Sequence, residues 1–149
     1  MSAEVQDVQI DPRGYRFGAA VTLVIALVSL VLGATAGGLI TMALLVALFV
    51  PGALVGPQAS LQAAIFKRAI RPRIGPPSET ESFRPPRFAQ QIGLAMSTAA
   101  LVLGLLGIAW GFWVFAALVT VASFLNAVFG FCLGCEIYLL VKRAGTRAA

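Results

Sequence analysis

The chain has no histidine, and its 149 residues hold only two cysteines, three methionines and 11% charged side chains. Without histidine, the usual general base, zinc ligand and axial haem ligand are all missing. Three methionines offer little to replace them, which argues against a haem-bearing electron-transfer subunit. No resident cofactor and no metal site is expected. A nucleic-acid binder would need a folded basic surface with aromatic or groove-reading elements, and none is present despite the net charge of +5. Against this scarcity of charge stand 59% hydrophobic residues and a mean hydropathy of +0.91. A soluble domain of this size cannot carry so much apolar surface, so the composition is that of an integral membrane protein. No cleavable signal peptide is expected: the first 16 residues are polar, with Glu4, Asp7, Asp11, Arg13 and Arg16, and the first hydrophobic run exceeds a signal core.

Two hydrophobic blocks, Phe17 to Phe66 and Phe88 to Val141, contain no lysine or arginine. Each is too long for one crossing, because a bilayer core takes about 20 helical residues. Glycine-rich breaks at Gly33–Gly38 and Gly104–Gly111 divide each block into a hairpin. The reading is an all-α integral membrane protein with four transmembrane helices, near 17–35, 38–57, 88–106 and 111–131. From Gly111 to Val141 a single helix would run about 46 Å against a core of about 30 Å, so the last helix must tilt, protrude or break. Pro51 predicts a kink in the second helix.

Along the chain this gives a tail at 1–16, a first transmembrane hairpin at 17–69, a Pro/Arg-rich loop at 70–87, a second hairpin at 88–141, and a tail at 142–149. All eleven basic residues lie in the two tails, the loop and the segment ends beside it, and the hairpin turns carry no charge. The positive-inside rule puts both termini and the loop in the cytoplasm, with the chain in the inner (cytoplasmic) cell membrane. Five prolines in the loop predict stiff, polyproline-like geometry. Tyr15, Trp110, Trp113 and Tyr138 read as interfacial aromatic anchors.

The halves resemble one another. Arg16-Phe17 matches Arg87-Phe88 and Val31-Leu-Gly33 matches Val102-Leu-Gly104, at an offset of 71, whereas Lys67-Arg-Ala69 matches Lys142-Arg-Ala144 at 75. Two spans per half predict a parallel internal repeat about an axis normal to the membrane. At the offset of 75, Pro57 and Ser60 stand where Cys132 and Cys135 stand. The glycine pairs Gly52/Gly56 and Gly130/Gly134 allow close helix approach, and a homo-oligomer is expected from them.

The chemistry concentrates in Phe131-Cys-Leu-Gly-Cys-Glu136. Two thiols three residues apart can close a disulfide, relay sulfur or hold a soft metal, and they can also serve as small packing residues. Glu136 is the one acidic residue outside the N-terminal tail and the middle loop, and a carboxylate so close to hydrocarbon needs a partner or water. Cys132, Cys135 and Glu136 are the candidate catalytic residues. Asn126 and the loop arginines Arg73 and Arg87 are the candidate substrate-binding residues. A helix starting at Cys132 would lower the thiol pKa, whereas Glu136 or a helix C-terminus would raise it. In the cytoplasm the pair is expected mostly reduced.

Asp11-Pro-Arg13, Arg71-Pro-Arg-Ile-Gly-Pro-Pro77, Pro85-Pro-Arg-Phe-Ala-Gln90, Leu125-Asn126 and Cys132-Leu-Gly-Cys-Glu-Ile-Tyr138 together resemble the signature blocks of a bacterial, largely actinobacterial, membrane family of unknown function, domain-of-unknown-function family 4395. Gly18 stands where that family has asparagine. The resemblance implies four spans and gene neighbours of rhodanese-type sulfurtransferase and thioredoxin-like kinds, hence sulfur or thiol handling with such a cytoplasmic partner. Three functions fit these residues. The first is a membrane thiol protein working by disulfide exchange or sulfane-sulfur relay. The second is a small transporter of a sulfur species or soft metal ion, and the third is a non-catalytic membrane scaffold or accessory subunit.

Overall fold

The structure is a computed structural model that describes residues 7–147; the first six residues of the N-terminal tail, Glu4 among them, and the last two of the C-terminal tail lie outside it. Four long helices form the bundle: α1 (Pro12–Leu32), α2 (Ala36–Leu54), α5 (Arg84–Leu105) and α6 (Ala109–Phe129). All four are long and apolar enough to cross a membrane, so the chain is a multi-pass membrane protein of two helical hairpins. Between the hairpins lie a 3₁₀ turn (Pro57–Ala59), α3 (Leu61–Ile65), a π-helical stretch (Phe66–Ile70) and α4 (Arg71–Ile74). After α6 comes α7 (Leu133–Arg147). A two-residue antiparallel ladder joins β1 (Gln9–Ile10) to β2 (Glu81–Ser82).

The long helices start earlier than hydrophobicity alone suggests. Asp11 caps α1 by accepting the Arg13 N–H at 3.0 Å, and Pro12 fills the first position, where no N–H is needed. Pro85 and Pro86 do the same for α5. The segment read as a stiff loop from 70 to 87 is therefore helical at both ends, through Ile74 and from Arg84, and only 75–83 lies between. Its prolines serve helix first turns more than polyproline geometry.

Helix packing follows membrane logic, in which lipid gives no hydrophobic drive between helices and close van der Waals contact must supply the attraction. On α1 the buried stripe is Ala19, Thr22, Ala26 and Ser29, all small and at three- or four-residue spacing. Its large side chains point outward, with Val31 82% exposed toward the lipid. The Ser29 hydroxyl donates to the Gly38 carbonyl at 3.0 Å, fastening α1 to α2 near their turn. The bulky centre comes from Met42 and Leu45 of α2 and Phe112 of α6, all fully buried. Across the bundle α1 lies along α6, and α2 along α5.

Both hairpins break at the end that carries the basic residues. Pro51 stays inside α2, which ends at Leu54; the sharp change of direction comes at Gly56, with φ 150°. The second break is at Gly130, where φ is +66°, a left-handed conformation that glycine adopts without cost. Of the three outcomes open to the over-long last helix, the chain takes the break. The glycines that suggested packing on a second copy are used within the chain: a side chain at Gly52 would meet the Gln90 side chain at 2.8 Å, and one at Gly134 would meet Ala89 at 2.5 Å.

Candidate thiol site

The break at Gly130 creates the site. The Gly130 N–H donates to the Asn126 carbonyl at 3.0 Å and the Phe131 N–H to the Leu125 carbonyl at 3.1 Å, closing off α6. Two residues later α7 begins, and Cys132 stands at its N-cap. The Cys132 carbonyl accepts the Glu136 N–H at 3.1 Å, and its sulfur accepts the Cys135 N–H at 3.3 Å. Cys132 and Cys135 are joined as a disulfide, with Cα atoms 5.2 Å apart. Its members face each other across the first turn of α7, at a separation that suits the bond.

A third contact comes from the far end of the sequence. The Tyr15 hydroxyl, in the first turns of α1, lies 3.5 Å from the Cys132 sulfur. Next to it, the Arg16 guanidinium donates to the Ala127 and Val128 carbonyls at 3.3 and 3.4 Å, covering the exposed end of α6. Tyr15 was legible only as an aromatic anchor, because nothing in the sequence links two residues 117 positions apart.

The other candidates fall at different distances from the sulfurs. Glu136 is exposed in the first turn of α7, where a carboxylate complements the helix dipole, and it borders the same open cleft of about 490 Å³ as both cysteines. Asn126 is buried and also borders that cleft. A second, narrower pocket of about 180 Å³ runs from Cys132 between α1, α5 and α6, past Asn126 and Ser123 to Thr22. Cys132 borders both spaces and Cys135 only the outer one. The two arginines are elsewhere. Arg87 donates to the Ala53 and Leu54 carbonyls at 3.3 and 2.9 Å, at the end of α2. Arg73 is exposed on α4, and neither arginine borders the cysteine cleft.

In the first hairpin Ser60 caps the helix that follows the break, as Cys132 does in the second. Its hydroxyl oxygen accepts the Ala63 N–H at 3.1 Å, as the Cys132 sulfur accepts the Cys135 N–H. Cap geometry therefore pairs Ser60 with Cys132 and Ala63 with Cys135, three residues away from the pairing that an offset of 75 gives. Either way the two sulfurs belong to the second hairpin.

Electrostatically, the thiolate form of Cys132 has two donors waiting, a backbone N–H at a helix N-terminus and a phenol. Both favour the anion. Among the described residues, no group of three or more His, Cys, Asp or Glu side chains gathers to hold a metal ion. Neither a curated protein nor a solved structure matches the chain. The family described as "Domain of unknown function (DUF4395)" matches residues 10–143, nearly the whole chain and all of the site, and the protein belongs to that family.

Proposed function

We propose that the protein is a membrane thiol–disulfide centre, with Cys132 as the stabilised thiolate and Cys135 as the sulfur that partners attack. The observation that carries this reading is the Cys132 sulfur held between the Cys135 N–H and the Tyr15 hydroxyl while bonded to Cys135. An incoming thiolate attacks the Cys135 sulfur, the S–S electron pair leaves on Cys132, and a mixed disulfide with Cys135 results. A second substrate thiolate then attacks the substrate sulfur of that mixed disulfide. The substrate leaves as its own disulfide and Cys135 leaves as a thiolate that takes a proton from water. Exchange is faster when the leaving thiolate is stabilised, and the two donors are aimed at the atom that leaves. In the reduced form the Cys132 thiolate can accept the sulfane sulfur of a persulfide donor, releasing the donor as a thiolate. Glu136, exposed beside the cleft, is the group at hand to exchange protons there, and Asn126 lines the floor.

The site lies at the end of the bundle with the basic residues, so by charge it faces the cytoplasm, with both termini, in the inner membrane. The partner is then a soluble thiol protein of thioredoxin-like or sulfurtransferase chemistry, which a cleft of about 490 Å³ open to that side admits. The two halves are best read as a parallel repeat. Phe17 packs on Phe66 at 6.0 Å between ring centres as Phe88 packs on Tyr138 at 5.7 Å, each pair joining a first helix to the segment after its break. One observation favours a second reading, passage of a small sulfur species: the pocket that leaves Cys132 inward along α1 and α6.

The test is redox equilibration of the purified protein with glutathione buffers, read by alkylation of each thiol. The expected result is one two-electron transition, faster labelling of Cys132 than Cys135, and a trapped mixed disulfide on Cys135 in Cys132→Ser. If the Cys132→Ser/Cys135→Ser double variant restores a deletion strain fully under thiol stress and limiting sulfur, the cysteines only pack and the proposal is wrong.

A further inference from the structure

The narrower pocket that begins at Cys132 has two unlike ends. At one end is the sulfur. Toward the other stand Leu118 and Val121, 44% and 54% exposed on the face of α6 that meets lipid, so the space opens sideways into the bilayer. Its walls are mostly apolar, yet Thr22 of α1 and Ser123 and Asn126 of α6 also line it. Thr22 is 5% and Asn126 6% exposed, and none of the three side chains makes a hydrogen bond among the described residues. Their polar atoms are not sealed in. Among the described residues, the buried side-chain atom that lacks both a partner and open surface is Oε1 of Gln62, outside this pocket. The Thr22 and Ser123 hydroxyls therefore keep surface toward the pocket, and the Asn126 amide stands where the pocket meets the outer cleft. Three hydrogen-bonding groups from two helices thus converge on an apolar space of about 180 Å³. A dry cavity of about 150 Å³ takes a benzene ring, so this one has room for a flat six-membered ring with small substituents.

The exchange reaction requires such a ligand. Each time the disulfide oxidises two substrate thiols, Cys132 and Cys135 are left reduced, and a two-electron oxidant must restore the bond. We propose that the pocket admits the head of a lipid-soluble quinone and that the quinone reoxidises the pair, an inference that rests on the thiol–disulfide reading for its chemistry. The carbonyl oxygens of the head accept from Thr22, Ser123 and Asn126, groups that an acyl chain would leave unpaired in a dry pocket. The Cys132 thiolate adds to a ring carbon: a C–S bond forms, and an electron pair moves onto a carbonyl oxygen, which takes a proton. The Cys135 thiolate then attacks the Cys132 sulfur. The S–S bond forms as the C–S bond breaks, the electron pair of the broken bond passes through the ring to the second oxygen, and that oxygen takes a second proton. Two thiolates, two protons and a quinone become a disulfide and a hydroquinone, which leaves to the lipid. The sulfurs divide this work by access, since Cys132 borders the inner pocket and Cys135 only the outer cleft, where soluble thiols arrive.

The experiment uses the full chain in phosphatidylcholine nanodiscs, with decylubiquinone as the probe and decylbenzene, which has the tail and a ring without carbonyls, as the control. Decylubiquinone should raise the thermal transition of the oxidised protein saturably, and decylbenzene should not. Thr22→Val keeps the shape of the side chain and removes its hydroxyl. In that variant and in Asn126→Ala the half-saturating quinone concentration should rise about fivefold. Mixed without oxygen, the reduced protein and the quinone should yield one hydroquinone per disulfide, read by quinone absorbance and by thiol alkylation. Cys135→Ser should hold the quinone on Cys132, seen as a new visible absorption band, and Cys132→Ser/Cys135→Ser should still bind it. If the pair shows no glutathione transition while the quinone binds, the exchange reading is at fault and reoxidation falls with it. If the glutathione transition holds and the quinone neither binds saturably nor reoxidises the pair, this inference alone is wrong. Equal stabilisation by decylbenzene, or half-saturation unchanged in both Thr22→Val and Asn126→Ala, means that any apolar molecule fills the pocket and likewise overturns it.

Discussion

Arg16 and Arg87 do the same work at opposite corners of the bundle. The first donates to the carbonyls of Ala127 and Val128 at the end of α6, the second to those of Ala53 and Leu54 at the end of α2. Each ties the start of one hairpin to the finish of the other, where a helix interrupted by glycine leaves carbonyls without intrahelical donors. Replacing either with alanine should cost about 1–2 kcal/mol of stability, measured by unfolding in mixed micelles. Lysine, with one ammonium in place of a fork, should recover only part. Arg16→Ala should also alter the thiol reaction, because the carbonyls it holds lie just before Gly130, whereas Arg87→Ala should leave that reaction alone.

The phenol next to Arg16 gives a sharper test. Tyr15→Phe keeps the ring and removes the donor at the Cys132 sulfur. The Cys132 thiol pKa should rise, and alkylation of the reduced protein near pH 7 should slow by roughly tenfold. A rate-against-pH curve identical to that of the wild type would show that the hydroxyl does not act on the thiolate.

Gly134 is where α7 touches α5. A methyl group there would lie 2.5 Å from the Ala89 Cβ, so Gly134→Ala should destabilise the packing of α7 by about 1–3 kcal/mol. The companion change Ala89→Gly removes the side-chain contact but leaves the backbone Cα of residue 89 at 2.6 Å. The double variant should therefore recover only part of the loss, seen as partly restored protection of the disulfide from reductant; strictly additive damage in the pair would mean that the two residues are not in contact.

Acid should weaken the N-terminal end first. The Arg13 guanidinium holds Asp11 ionised below the usual carboxylate range. A depressed folded pKa adds stability that is complete above the unfolded value, about 3.9, and fades as pH falls through the folded one. Asp11→Asn should therefore lower stability at neutral pH and flatten its loss below about pH 4, in a series of thermal transitions across that range.

Topology can be checked directly. Alkaline phosphatase fused after Arg147 or within 75–83 should stay in the cytoplasm and be inactive, and a fusion in the Gly33–Thr35 or Leu106–Ile108 turn should be exported and active.

Spans and turns were legible because 20-residue apolar runs and glycine breaks are local signals, and the charge pattern gives the turns no other role. The helix starts at Pro12 and Arg84 were missed because hydrophobicity was counted from Phe17 and Phe88, while capping by Asp11 and proline extends each helix out of the apolar run. Cys132 and Cys135 announced themselves by spacing, but their setting did not. Whether the last helix runs through them depends on the left-handed turn at Gly130, one of several glycines with no sequence mark to single it out. Asn126 would face away from Cys132 on an unbroken helix, and only the break brings both to one cleft. Arg87 looked like a ligand-binding cation because it sits in a basic segment; its carbonyl partners belong to a helix 33 residues earlier.

The contact between Tyr15 and Cys132 also sets an order of events during synthesis. The phenol leaves the ribosome well before the sulfur, with four membrane-spanning helices between them. Until α7 docks on α5, a nascent chain carries a tyrosine with no sulfur beside it and then a pair of ordinary thiols with no phenol. On the function proposed above, the stabilised thiolate would come into being only on completion of the bundle, and half-inserted copies would carry thiols of ordinary reactivity.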